Sequence, residues 1–256
     1  MSHPQPAPTP AGPAERAAGR PAAEKPDMSE KGAPKEGVPQ KLDERLFVQV
    51  SAFGGAKDVP ALVRALQHCG FECALYADLN DPLGVALVTF SKDESHFIET
   101  VRPFLLKEPF ASLQFKPEYA LFGRTYALGH EPNLEDWLIH KQRRNILNPG
   151  APWAVWYPVR RKGAFAALPA DEQKTILREH GMIGHSWGEA GLAADVRLAC
   201  HGLDKADHDF VIGLVGPRLH PLSALVERMR KTVQTSTWIE HMGPFFVGKA
   251  VWQSPL

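Results

Sequence analysis

One order of hydrophobic runs occurs twice in this chain, and it constrains the fold more than any single motif. Residues 46–53 alternate as a strand, and residues 59–69 set Leu62, Val63 and Leu66 on one helical face. Strands follow at 71–78 and 85–90, then a helix at 93–106 with Phe97, Ile98 and Val101 at helical spacing, then a strand at 113–122. The order is β-α-β-β-α-β, the split βαβ unit. The second half repeats it, with strand 153–159, helix 170–180, strands 195–201 and 210–215, helix 221–230 and strand 244–251. Residues 134–147 read as a connecting helix, stopped by Asn148-Pro149-Gly150.

The expected fold is therefore α+β, built from tandem ferredoxin-like halves: residues 42–133, a connecting helix at 134–150, and residues 151–256. Two such sheets can pack face to face or close into a barrel, and leftover strand edges invite assembly. Residues 1–41 read as a disordered tail. The first forty residues hold nine of the 23 prolines and no aromatic residue, too little apolar area to offset ordering entropy.

The 29 basic and 29 acidic residues cancel, so no global field draws the chain to nucleic acid or an anionic membrane. Any anionic ligand must meet a local basic cluster. The three cysteines, Cys69, Cys73 and Cys200, lack Cys-x-x-Cys spacing, and no apolar run reaches membrane-span length. A cytoplasmic protein is expected.

Several residues could carry chemistry. His180 closes the predicted 170–180 helix just before Gly181, where an imidazole can cap the helix or ligate iron. Tyr157 precedes Pro158 on a strand, as core filling or as a redox-active phenol. Lys141, Arg143, Arg160 and Arg161 are basic groups suited to carboxylates. A rival metal site drawn from His180, His185, His201, Asp204, Asp207, His208 and Asp209 lacks any standard ligand spacing.

The runs Trp156-Tyr157-Pro158-Val159-Arg160, Leu168-Pro169, His180-Gly181-Met182-Ile183-Gly184, Gly202-Leu203-Asp204, Met229-Arg230 and Gly243-Pro244-Phe245-Phe246-Val247-Gly248 resemble, in order, the chlorite dismutase family. Within it the chain is most similar to the coproheme decarboxylases of bacterial haem synthesis, of the short-loop actinobacterial kind, from the interval of 23 positions from Tyr157 to His180. The resemblance implies a dimeric α/β barrel and an iron porphyrin. Coproheme would be both substrate and redox centre, hydrogen peroxide the co-substrate and haem b the product. It implies His180 as iron ligand, Tyr157 as radical-forming residue and His140, 17 positions before Tyr157, as base for peroxide. Lys141, Arg143, Arg160, Arg161 and Phe165 would bind substrate. The usual distal position falls at Asp195, with Ala193 or Arg197 as its other occupants, and Arg197 would share a strand face with Asp195. A homopentamer and a transient contact with the chelatase that supplies substrate are further implications. A haem b chlorite dismutase and a non-catalytic haem-binding protein are the alternatives.

Overall fold

The computed structural model of the chain describes residues 25–256. It is a mixed α/β fold around one large antiparallel sheet. A hairpin of β1 (Glu30–Lys35) and β2 (Val38–Leu42) comes first. The first unit follows: β3 (Phe47–Gly54), α1 (Val59–Leu66), β4 (Cys73–Asp78), β5 (Val85–Ser91), a π-helical turn (Phe97–Val101) running into α2 (Arg102–Leu105), and β6 (Gln114–Thr125). Its strands lie in the order β4-β5-β3-β6. A second π-helical turn (Asp136–His140) and α3 (Lys141–Ile146) connect it to the second unit. That unit is β7 (Trp153–Arg161), α4 (Ala170–Glu189), β8 (Ala194–Ala199), β9 (Phe210–Gly216), α5 (Leu219–Arg230), β10 (Ile239–Met242) and β11 (Phe246–Gln253). There β7 pairs with β9 on one side and with β10 and β11 on the other, and β9 pairs with β8.

The two units join at two seams. Between β4 and β11 five residue pairs form, with a bulge between Ala250 and Trp252, while β6 and β8 share two, Arg124 with Ala199 and Thr125 with Leu198. With both seams made, the ladder of strands closes on itself. The alternation of each strand then divides inside from outside. Val48, Val50, Tyr76, Val88, Val196 and Val211 fill the interior around Trp156, which has no exposed surface. Gly213 is required there, because a Cβ on it would meet the Trp156 ring at 2.5 Å.

The outward faces are covered by helices. Asp58 caps α1 by accepting from the Ala61 N–H at 2.9 Å, and Leu62 and Leu66 bury against Leu75 and Leu87. Helix α4 starts after Pro169 with Asp171 and Glu172 in its first turn, favourable to the helix dipole. Ile183 and Trp187 from α4 and Leu222 and Leu225 from α5 pack over Val155, Tyr157 and Leu214.

Three expectations change. The tail predicted to residue 41 contains the β1–β2 hairpin, because its polar groups find partners. Glu30 pairs with Arg124 at 3.1 Å, and Gln40 donates to the carbonyls of Ala33 and Glu131. The remainder of the tail, residues 1–24, lies outside the described residues. The helix predicted to stop at His180 continues to Glu189, since Gly181 and Gly184 stay helical and Ile183 and Trp187 extend the apolar stripe. The connecting helix is not uniform, opening with its π-helical turn before α3.

Candidate functional site

The outer face of the second unit brings together the groups with the most chemistry. In the antiparallel register Arg197 on β8 stands opposite Ile212 on β9, and Ile212 stands opposite Tyr157 on β7. These three side chains therefore form one row across the sheet, with Arg197 and Tyr157 two strands, about 10 Å, apart. Asp195 lies one pleat along from Arg197 on the same face, opposite Leu214.

Helix α4 covers this row. Ile176, His180, Ile183 and Trp187 follow one another at spacings of four, three and four, so His180 sits in the stripe that packs toward the sheet. Its Nδ1 is 3.4 Å from Thr232 Oγ1, and that hydroxyl donates its own proton to the Met229 carbonyl at 2.7 Å. The oxygen is left to accept from Nδ1–H, which makes Nε2 the nitrogen with the free lone pair. Burial pushes the imidazole down to about 4, and the positive charges of Arg197 and Arg161 push the same way. The ring is neutral at physiological pH, the state a metal ligand requires.

Tyr157 is 6% exposed and stacks on Phe245 with ring centroids 4.5 Å apart. Burial raises its phenol well above the ordinary range, Arg230 opposing and Asp195 assisting. Tyr126, just past the end of β6, is also raised by burial, with Arg197 and Arg161 acting against it. Both phenols remain protonated.

The cations around the row differ in how they are paired. Arg197 pairs through Nε with Asp195 at 2.6 Å, and its guanidinium lies 4.8 Å from the centre of the Trp137 ring. Lys141 approaches the same ring to 3.9 Å and Asp195 to 3.8 Å. Trp137 donates its indole N–H to the Tyr126 carbonyl at 3.1 Å, so the π-helical turn is held at the mouth of the site. Arg161 is the exception. Its guanidinium lies 4.5 Å from the Phe165 ring and 4.8 Å from that of Phe210, and its Nε is buried with no hydrogen-bond partner. A buried, unpaired guanidinium nitrogen is costly, and it suits an anion that arrives with a ligand.

A family model described as chlorite dismutase matches residues 111–251. The chain belongs to the chlorite dismutase family. Its fold is similar to that of a haem-binding protein from Thermus thermophilus, at 19% identity and a TM-score of 0.62, covering 81% of this chain and 91% of the other. It is also similar to the chlorite dismutase from Candidatus Nitrospira defluvii in complex with imidazole, at 15% identity and a TM-score of 0.63, covering 82% and 92%. No curated protein sequence matches the chain.

In this chlorite dismutase family member the fold gathers Tyr157, His180, Lys141, Arg161 and Phe165 and leaves three of the predicted site residues elsewhere. His140 is half-exposed beside Glu135, 3.7 Å away, because the π-helical turn aims Trp137 and Lys141 inward in its place. Arg143 forms a two-pronged ion pair with Glu72 of the first unit. Arg160 is held by Asp207 through its carboxylate at 2.5 Å and its carbonyl. The rival metal set is likewise dispersed into separate pairs: His185 with Glu189 at 3.2 Å, His201 with Asp209 at 3.2 Å, and His208 with Asp204 at 3.0 Å. Among the described residues no group of three His, Cys, Asp or Glu side chains is placed to hold a metal.

Sequence reasoning missed Thr232, Tyr126 and the roles of Trp137 and Phe245. Tyr126 and Thr232 come from loops whose position depends on tertiary packing. Trp137 carried a usable signal, since an aromatic four residues before Lys141 places ring and ammonium on one helical face.

Proposed function

We propose that this face binds an iron porphyrin and that the protein is a peroxide-dependent coproheme decarboxylase. The observation that carries the reading is the row containing Tyr157 beneath the helix that presents His180. The residues fit the group: His180 offers a neutral imidazole with Nε2 free, and Arg161 offers a buried guanidinium nitrogen without a partner. Phe165, packed on that guanidinium, gives an apolar wall. Bound iron porphyrin would supply the redox centre at which peroxide is reduced.

The chain's own groups then act on the substrate propionates. Tyr157, kept protonated by burial, loses a proton and an electron together and becomes the local oxidant. It takes a hydrogen atom from the β-carbon of a propionate, the second electron would pass to the bound redox centre, carbon dioxide leaves, and a vinyl group remains. For each propionate one hydrogen peroxide is consumed and two waters form, so the two-electron oxidation balances. Two propionates react to give haem b. Arg161 and Lys141 hold the propionates that remain, with bidentate geometry available from Arg161. In place of His140, which faces Glu135, Arg197 is the polar group positioned to receive peroxide.

Arg197 in the same row also supports a second reading, decomposition of chlorite by a haem b form. Mass spectrometry of the porphyrin after peroxide titration of the ferric coproheme complex separates the two. The decarboxylase yields haem b, and Tyr157→Phe abolishes that conversion while retaining porphyrin. Oxygen evolution from chlorite without decarboxylation would favour the second reading, and full decarboxylase activity in Tyr157→Phe would overturn the role of the phenol.

The same reading takes the two β-α-β-β-α-β units as ferredoxin-like halves of a dimeric α/β barrel. It also includes a cytoplasmic homopentamer and a transient contact with the chelatase that supplies coproheme.

A further inference from the structure

One aromatic ring at the mouth of the site carries two cations. Trp137 lies on the π-helical turn Asp136–His140, and Lys141 follows it by four residues, which brings ammonium and indole to one face. The Lys141 nitrogen is 3.9 Å from the centre of the ring, and the Arg197 guanidinium carbon, arriving from β8, is 4.8 Å from it. Asp195 makes contact with both cations, 2.6 Å from Arg197 Nε and 3.8 Å from Lys141 Nζ. Asp136, the acidic residue next to Trp137 in sequence, is engaged by Arg144 at 2.7 Å. Both charged groups seated over the ring are therefore positive.

This arrangement bears on how readily the ring gives up an electron. Removing one from an indole leaves a radical cation whose charge spreads over the ring. Beside two cations the attraction to the neutral ring's π face is replaced by repulsion. Loss of the indole proton would relieve the charge, but that N–H is donated to the Tyr126 carbonyl at 3.1 Å, an acceptor that takes up no proton. A phenol that loses proton and electron together ends neutral and meets no such repulsion. Two other tryptophans near the porphyrin face supply the contrast. Trp187 donates to the Pro221 carbonyl at 3.2 Å, and Trp238 meets the Phe165 ring edge-on with centroids 5.8 Å apart. Among the described residues, cations lie over Trp137 and Trp153 but not over these two rings.

We propose, resting on the peroxide-dependent reading of this face, that Lys141 and Arg197 protect Trp137 from one-electron oxidation and so direct the oxidation to Tyr157. The electron that reduces the oxidised redox centre then comes from Tyr157 together with its proton, and the indole keeps its own. Lys141 and Arg197 act here through the ring that they cover, in addition to what they offer the substrate.

The first arm of the test uses the full chain without porphyrin, treated with hexachloroiridate(IV), a one-electron oxidant, with each tryptophan followed by peptide mass spectrometry. The probe is an anion, so the two cations favour its approach, and protection seen with it lies in the ring and not in access. Trp137 should gain oxygen at least about tenfold more slowly in the wild type than in Lys141→Gln. Lys141→Arg should keep the wild-type rate, and Trp187 and Trp238 should be unchanged in both variants. Equal Trp137 rates in the wild type and Lys141→Gln, or a Lys141→Arg protein oxidised as fast as Lys141→Gln, would overturn the protection. In the second arm the ferric coproheme complexes receive hydrogen peroxide, and Lys141→Gln should accumulate oxidised Trp137 that the wild type lacks. Equal Trp137 oxidation in these two complexes would overturn the direction toward Tyr157. A wild type that forms no haem b, yet resists Trp137 oxidation in the first arm, would remove the decarboxylase reading and the consequence for Tyr157 while upholding the protection of the ring.

Discussion

Replacing His180 with glutamine should flatten the dependence of folding stability on pH between about 8 and 5. The imidazole falls from 6.5 to about 4 on burial, so the unfolded chain binds a proton there in a range where the folded chain does not. For a base depressed in this way, stability is full above its unfolded value and is lost as pH falls toward its folded value. Linkage puts the loss at about 2 kcal/mol by pH 5 and about 3 kcal/mol once titration is complete. The ring is part-exposed, so these figures are ceilings. Urea unfolding of the wild type and His180→Gln, each followed from about pH 8 to about pH 5, gives the difference in slope directly. Other titrating groups are common to both proteins and cancel. Equal losses in the two would refute the argument that burial keeps this imidazole neutral and ready to bind a metal.

Arg161→Met should leave the porphyrin-free protein as stable as the wild type or more so, because it removes a buried, unpaired guanidinium nitrogen. The same change should weaken coproheme binding by about ten- to a hundredfold, read from a Soret titration. Gly213→Ala forces a methyl into the Trp156 ring and should cost about 1–3 kcal/mol in chemical unfolding. Asp204→Ala removes the acceptor for the Ala206 and His208 amides and for His208 Nδ1, and should cost about 2–3 kcal/mol, with faster amide exchange in the turn that holds Arg160.

The repeated element order was legible from alternation and helical spacing because those periods are local. The end of α4 was misplaced for the same reason: Gly181 is a local stop signal, and the packing of Ile183 and Trp187 that overrides it is tertiary. Arg197 could be placed on the face of Asp195 by strand parity alone. That it shares a row with Tyr157 depends on the registers β8–β9 and β9–β7, which no local pattern encodes. Arg143 and Arg160 illustrate the limit for charged side chains. A basic residue near a site motif can as easily be claimed by a carboxylate on another element, here Glu72 and Asp207. The hairpin from Glu30 to Leu42 escaped notice because its stability comes from docking onto residues 124–134, not from its own composition.

The unequal seams give the closed ladder a mechanical character. Five paired residues make β4–β11 a spine, and two make β6–β8 a clasp. The clasp lies beside the site: Tyr126 follows the last residue of β6, and Arg197 immediately precedes the β8 residue paired across it. The site's Tyr126 and Arg197 therefore stand at the seam with the fewer pairs, while the longer seam carries most of the pairing that holds the two units in register.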